Sequence, residues 1–331
     1  MRFGPIAPED AEGAILAHSV ALARGRLRKG RVLTAADCVL LAAEGHPEVW
    51  AARPDASDVL EDEAAARLAD ALVPNPEGAW LRIGPASTGR ANLHATGPGV
   101  LTYDPDAIHA VNAADHGVTF AILPTVTRVV EGQMIGTVKI IPYAVPGDAL
   151  DTAMRAARDS ALTVRPGRVS RVLLIETTIP GMPSGPKGEK AVRARVEALG
   201  ARMEPVVRVP HALGGLADAI TASTAEVILI LTASATSDLH DVAPEAVRRA
   251  GGTVLRFGMP VDPGNLLFLG AHGGRTVIGL PGCARSPALN GADWVLDRVL
   301  TGLPCGDAEI AAMGVGGLLK ETAARGRPRE G

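Results

Sequence analysis

The chain has 331 residues, of which 47% are hydrophobic and about a fifth are Gly or Pro, and its formal charge is −3. This length favours two domains, and the composition is that of a folded protein rich in loops, not of a disordered one. The near-neutral charge argues against nucleic-acid binding, and the 3% of aromatic residues leave few side chains to stack on bases.

Three features of the sequence predict a cytoplasmic protein without a membrane segment. The longest apolar run, AEVILILTA, is shorter than the ~18–20 residues that cross a bilayer. The first residues, MRFGPIAPEDAEG, lack the basic start and apolar run of a signal peptide. Cys38, Cys283 and Cys305 are spaced too widely for a disulfide framework or a zinc site, which fits a reducing compartment.

Residues 1–168 predict a mixed α+β region, with room for two subdomains. Helical periodicity predicts three helices, in AADCVLLAAEG, EDEAAARLADAL and PGDALDTAMRAARDSAL. Short β-branched or Leu-rich runs bounded by Gly and Pro predict strands between them. These runs are RLRKGRVL, WLRIGPASTG, AILPTVTRVVEG and MIGTVKIIPYAV.

Residues 169–304 predict a doubly wound α/β domain, because strands that are apolar on both faces alternate with helices. The predicted strands are SRVLLIETT, EPVVRV, AEVILILTA, TVLRFG, LLFLG and RTVIGL. The predicted helices are EKAVRARVEALG, ALGGLADAITAS, APEAVRRAGG and PALNGADWVLDRVLTG. Residues 305–331 predict a tail with one short apolar turn, GVGGLLKE, and a frayed end, ETAARGRPREG.

The loop LTASATSDLHDVAPEA leaves the most apolar strand and enters a helix. Ligands of doubly wound domains lie at the carboxyl ends of strands, and the amino end of a helix binds anions. Ser234, Thr236 and Ser237 are candidate phosphate donors, and Asp238 and Asp241 are candidate ligands of a divalent cation. The alternative is that Asp241 only caps the helix and the hydroxyl residues form turns.

A second loop, GLPGCARSP, joins a predicted strand to the last predicted helix. Ser286 followed by Pro287 predicts the start of that helix, with Ser as the cap. Arg285 beside it is a candidate for gripping a phosphate or carboxylate. Cys283 is either a thiol of lowered pKa or a small buried side chain. Dinucleotide, P-loop and nucleophile-elbow motifs are absent from the sequence.

These two loops, in this order, resemble those of the molybdopterin-binding proteins of molybdenum-cofactor biosynthesis. LTASATSDLHDVAP aligns with the molybdopterin adenylyltransferase loop T-x-G-G-T-G-x-x-x-x-D-V-T-P, matching at Asp241, Val242 and Pro244. DPGNLLFLG and GLPGCARS align with K-P-G-K-P-x-x-x-G and G-L-P-G-N-P-x-S of the molybdopterin molybdenumtransferase. The residues kept there are Pro263, Gly264, Gly270, Gly279 to Gly282 and Ser286. The resemblance is specific over residues 170–302, moderate over the first 50 and faint over 60–165.

The resemblance implies a molybdopterin-binding Rossmann-like domain over residues 169–304. It implies that Asp241 serves metal-assisted chemistry, with Mg²⁺ bound by Asp241 and helped by Asp238 or Asp262. It places Pro281, Gly282 and Ser286 in the pterin-site loop. Taken with the loop positions, the full set of candidate molybdopterin-binding residues is Ser234, Ala235, Thr236, Ser237, Asp238, Pro263, Gly264, Asn265, Pro281, Gly282, Arg285 and Ser286.

The chain also departs from the family pattern, and the departures affect catalysis more than binding. Ala233 and Ser234 replace a double glycine, His211 replaces an acid, Asp262 and Asn265 replace two lysines, and Cys283 and Ala284 replace Asn and Pro. The loss of one acid and two lysines weakens the case for full adenylyl transfer or molybdenum insertion. Pterin binding survives these changes better.

The sequence therefore leads to one main hypothesis with two alternatives. The main hypothesis is a homo-oligomeric molybdenum-cofactor biosynthesis protein that binds molybdopterin or its adenylate, with Mg²⁺-dependent molybdenum insertion or adenylyl transfer as the chemistry. The first alternative is a non-catalytic carrier that delivers the cofactor to a nucleotidyltransferase or a molybdoenzyme. The second is a pyridine-nucleotide amidohydrolase on the same fold.

Overall fold

The computed structural model describes residues 1–181 and 185–319. Contacts within the chain divide it into two compact units. The N-terminal unit comprises Met1–Gly97 and Leu101–Val164, and the C-terminal unit comprises Pro98–Val100 and Arg165–Gly331.

The N-terminal part of the chain mixes short strands with helices, as its sequence predicts. Its strands are β1 (Arg2–Ile6), β2 (Ile15–Leu16), β3 (Val20–Leu22), β4 (Gly25–Leu27), β5 (Val49–Arg53), β6 (Asp58–Leu60), β7 (Leu81–Ile83), β8 (Arg90–Ala95), β9 (Gly99–Thr102), β10 (Val118–Ile122), β11 (Thr127–Val129), β12 (Met134–Ile140), β13 (Ala144–Pro146) and β14 (Thr163–Arg165). Its helices are α1 (Ala35–Ala43), α2 (Glu61–Leu72), α3 (Pro105–Ala113) and α4 (Gly147–Arg158). The three predicted helices are α1, α2 and α4, and α3 is an addition.

Among the described residues of the N-terminal unit, hydrophobic side chains gather in separate cores. One core packs α2 and α4 with a four-stranded sheet of order β10-β12-β8-β7, through residues such as Leu68, Leu93, Val138 and Leu150. Another core gathers around α1, with buried Cys38 as one of its members. Cys38 is thus a small apolar side chain of a core.

The C-terminal unit alternates strands and helices. Its strands are β15 (Arg171–Thr178), β16 (Arg202–Met203), β17 (Val207–Pro210), β18 (Val227–Leu231), β19 (Thr253–Phe257), β20 (Phe268–His272) and β21 (Arg275–Leu280). Its helices are α5 (Pro186–Glu197), α6 (Leu213–Ala222), α7 (Val242–Arg249), α8 (Gly291–Thr301) and α9 (Asp307–Ala312), with a 3₁₀ helix at Gly282–Arg285. The predicted α/β class is confirmed for this unit.

These strands form one seven-stranded sheet of order β16-β15-β18-β21-β20-β19, with β17 also pairing with β15. β16, β17, β15, β18 and β21 run parallel, so their carboxyl ends share one edge. β20 is antiparallel to both of its neighbours, β21 and β19, which differs from the expected parallel sheet. The reason is local: only Gly273 and Gly274, both at positive φ, separate β20 from β21, and a parallel pair needs a far longer crossover.

Helices cover both faces of this sheet. Successive side chains of a strand point to opposite faces, so each strand packs against helices on both sides. Ile228 and Ile230 of β18 lie in a core cluster with residues of α6 and α7. Leu229 and Leu231 point to the opposite face. There, Cδ2 of Leu231 lies 3.4 Å from the place that a Cβ on Gly188 of α5 would occupy. Helices α5 and α8 contact each other as well.

The last long helix begins later than the sequence suggests. Ser286 was expected to cap it, but Ser286 follows the 3₁₀ helix and α8 starts at Gly291. Asn290 is the cap, and it forms a reciprocal capping box with Asp293. This box satisfies two backbone N–H donors. The carbonyls of Ser286 and Ala288 accept hydrogen bonds from the Arg195 side chain instead of from helical N–H groups.

Beyond α8, residues 307–312 form α9 inside the segment that was expected to be a tail. The expected frayed end, residues 321–331, lies outside the described residues. Within residues 1–181 and 185–319, no helix has the length and apolarity needed to cross a membrane.

Candidate functional site

A cavity of about 390 Å³ lies at the carboxyl edge of the parallel strands. One wall is the start of α5, and the other is the loop that follows β21. The lining residues are Gly185, Lys187, Gly188, Gly282, Cys283, Arg285 and Ser286. Three of the sequence-predicted residues, Gly282, Arg285 and Ser286, therefore meet at one cavity.

Arg285 is fixed beneath this cavity by a buried carboxylate. Its Nη1 donates to Oε1 of Glu176 at 2.8 Å, and its Nη2 donates to the carbonyl of Thr232 at 2.9 Å. The Glu176 side chain is 0% exposed, and its other oxygen accepts a hydrogen bond from Nε of Arg208 at 3.2 Å. The contact with Thr232 ties the loop after β21 to the end of β18, where the first predicted loop begins.

In the loop of residues 232–241, backbone N–H groups already bind the carboxylate of Asp241. Asp241 accepts from the backbone N–H of Ser237 through Oδ2 at 3.0 Å and from Val242 through Oδ1 at 2.6 Å. Asp241 is the N-cap of α7, so its carboxylate lies where the helix end and the loop amides attract an anion. The amide of Ser237, expected to meet a phosphate, already donates to this carboxylate.

The other side chains of this loop differ in their burial. Thr236 is buried, with its Oγ1 3.5 Å from that of Thr232, whereas Ser234, Ala235, Ser237 and Asp238 are exposed. Oδ1 of Asp238 accepts from the backbone N–H of His240 at 2.7 Å. The loop is therefore a capped turn leading into α7.

The predicted turn at residues 262–265 packs against the start of α8. The Asp262–Pro263 peptide bond is cis, and the carbonyl of Pro263 accepts from the N–H of Gly291 at 2.8 Å. A Cβ on Gly264 would lie 2.7 Å from that same nitrogen, so only glycine fits this approach. Nδ2 of Asn265 donates to the carbonyl of Met259. None of these residues lines the cavity.

The three predicted magnesium ligands, Asp238, Asp241 and Asp262, do not form a cluster. Within the described part of the chain, no three His, Cys, Asp or Glu side chains are close enough together to hold a metal ion. Both oxygens of Asp241 are engaged by backbone donors. As arranged here, these carboxylates do not fit a magnesium site, and that site stays a prediction.

Sequence reasoning missed Glu176 and Lys187. Glu176 is the one acid within the apolar run of β15, and a buried charge in such a run signals a partner elsewhere. Lys187 follows Pro186 at the first turn of α5, where a basic residue opposes the helix dipole. Both could therefore have been noticed in the sequence, Glu176 as a charge in an apolar strand and Lys187 as a basic residue at the start of a helix.

Comparison with known proteins adds little to this geometry. A family model for a domain of unknown function, DUF8806, matches residues 5–53, which is too small a part of the chain to show a family. No curated protein matches the sequence. The crystal structure of a molybdopterin biosynthesis MoeA protein from Pyrococcus horikosii is 13% identical, and the match covers 92% of this chain and 74% of that one. Its TM-score of 0.28 is too low to show a shared fold.

Proposed function

We propose that the C-terminal unit binds molybdopterin or its adenylate in the cavity between α5 and the loop after β21. The observation that supports this most is that Gly282, Arg285 and Ser286, which match or adjoin the pterin-loop motif, line one cavity. Its volume of about 390 Å³ lies within the range of small-molecule sites. Its place at the carboxyl edge of parallel strands is the usual one for α/β domains.

Binding and delivery is the activity that the arrangement favours. In the adenylyltransferase and molybdenumtransferase hypotheses, Asp241 assists a metal ion together with a second carboxylate. Here Asp241 accepts backbone N–H groups of Ser237 and Val242, and the described residues hold no cluster of three metal-ligating side chains. We therefore propose a molybdenum-cofactor carrier, whose recipient is a nucleotidyltransferase or a molybdoenzyme, and keep Mg²⁺-dependent transfer as the second hypothesis.

Native mass spectrometry of the protein, purified from a host that makes molybdopterin, tests the binding proposal. We expect a retained pterin mass in the wild type and in Lys190→Gln, and its loss in Arg285→Gln. Lys190 is an exposed residue of α5 that does not line the cavity, so it is a matched control. Wild-type protein without any pterin, after purification from such a host, would contradict the proposal.

Turnover assays separate the remaining hypotheses. Consumption of molybdopterin with Mg-ATP, or of the adenylate with molybdate, would support an enzyme over a carrier. Release of an amide from nicotinamide mononucleotide would support the amidohydrolase hypothesis. A carrier shows none of these reactions while it retains the pterin.

A further inference from the structure

Two cationic side chains from distant parts of the chain line the same cavity. Lys187 comes from the first turn of α5, and Arg285 comes from the 3₁₀ helix after β21. We infer that this cavity binds a phosphate monoester directly through Lys187 and Arg285, without a divalent cation. The identification of that ester as the phosphate end of molybdopterin rests on the proposed function.

Arg285 is held in one orientation and still has donors to offer. Glu176 and the Thr232 carbonyl take one N–H each at 2.8 Å and 2.9 Å. A guanidinium carries five N–H donors in a planar fork, so three have no partner among the described residues. Such a fork matches two oxygens of a phosphate at once, and its fixed orientation reduces the entropy lost on binding.

Glu176 links Arg285 to a larger network of charges. Its second oxygen bonds to Arg208, so one buried carboxylate is shared between two guanidinium groups. Arg208 also pairs with Glu189 at 2.8 Å, on the outer side of this chain of charges. Lys187 has no ion-pair partner among the described residues. The two guanidinium groups of this network are matched by the carboxylates of Glu176 and Glu189, so the uncompensated charge at the cavity is that of Lys187, which favours an anion.

The described lining residues offer hydrogen-bond donors to an anion, but they offer no carboxylate to a divalent cation. Among its described residues there is no Asp or Glu, the ligands that Mg²⁺ prefers. The Ser286 hydroxyl accepts from the N–H of Ala288 at 3.2 Å, which leaves its own hydrogen to donate. Gly188 leaves room for the guanidinium, because a Cβ there would lie 3.2 Å from Nη1 of Arg285.

Calorimetric titration with phenyl phosphate in low-salt buffer containing EDTA tests the inference, with phenol as the uncharged probe. We expect the phosphate to bind and phenol not to bind. Lys187→Gln should weaken phosphate binding about 5-fold, the value of one charge at contact distance in water. Lys190→Gln, on the same helix but outside the cavity lining, should bind like the wild type. Arg285→Gln should weaken binding ~10-fold or more, because a charge-assisted fork is lost.

The inference is overturned if phenyl phosphate fails to bind in EDTA, or if the two lysine variants behave alike. Since Lys187 is exposed, its variant folds even if Arg285→Gln does not, and the lysine pair decides the matter alone. Phosphate binding without pterin retention would leave this inference standing and remove the proposed function. Pterin retention without Lys187-dependent phosphate binding would do the reverse.

Discussion

Arg195 of α5 and Asp293 of α8 form a buried ion pair, with Nε of Arg195 2.7 Å from Oδ1 of Asp293. The same guanidinium donates to the carbonyls of Ala284, Ser286 and Ala288 at 2.7–3.0 Å. One residue of α5 therefore holds the loop that forms the opposite wall of the cavity.

Replacing Arg195 should destabilise the protein strongly. Arg195→Met leaves the buried carboxylate of Asp293 without its partner and three carbonyls without donors, so we expect a loss of about 3–5 kcal/mol in the free energy of unfolding. Urea unfolding measures this loss. The double variant Arg195→Met/Asp293→Asn should recover part of it, because no charge is then left unpaired. A double variant less stable than Arg195→Met would contradict the ion-pair explanation.

The role of Asp241 is tested by removing its charge while keeping its shape. Asp241→Ala should cost ~0.5–2 kcal/mol of stability, the usual value of a lost N-cap, and Asp241→Asn should cost less because one oxygen still accepts. If Asp241 is only the cap, pterin affinity in Asp241→Asn should equal that of the wild type both with and without Mg²⁺. Calorimetry that shows affinity lost only in the presence of Mg²⁺ would instead support the metal hypothesis.

Asp37 should make the N-terminal unit sensitive to acid. The hydrogen bond from Arg31, helped by Thr34, outweighs burial and lowers the pKa of Asp37 to about 2. An unfolded Asp titrates near pH 4, so this stabilisation is complete above about pH 4 and is lost as the pH falls towards 2. Urea unfolding between pH 5 and pH 2 should show a shallower decline for Asp37→Asn than for the wild type. Asp70→Asn, at an exposed site on α2, serves as the control.

The three cysteines should differ in their rates of alkylation. Burial raises the pKa of Cys305 to about 11, so its thiolate fraction at pH 8 is about 100-fold below that of an ordinary thiol. Burial also raises the pKa of Cys38. Cys283 lines the cavity and should react first with iodoacetamide, as peptide mass spectrometry will show. Faster labelling of Cys305 would contradict this order.

Much of the C-terminal unit follows from patterns that are local in sequence. Continuous apolar runs such as residues 227–231 are strands, and the periodic segments between them are helices. The antiparallel hairpin was predictable as strands, although its direction depends on a two-glycine turn. The start of α8 was not predictable from Ser286 and Pro287 alone, because an equally good cap at Asn290 competes and forms the capping box with Asp293.

The candidate site shows which contacts the sequence could not predict. Arg285 was recognised from its position beside a loop, but its partner Glu176 is 109 residues away. Asp241 was assigned to a metal from the family motif, yet its hydrogen bonds run to the loop that contains it. Such pairings depend on the three-dimensional path of the chain, and no local spacing reports them.

The hairpin of β20 and β21 has a practical consequence. β21 runs from the Gly273–Gly274 turn towards Pro281 and the cavity, so the turn and the cavity lie at opposite ends of one strand. A fluorescent domain or an affinity tag inserted between the two glycines would therefore sit at the far edge of the sheet. There it could report on the protein inside cells, or immobilise it for binding measurements, while the cavity stays accessible.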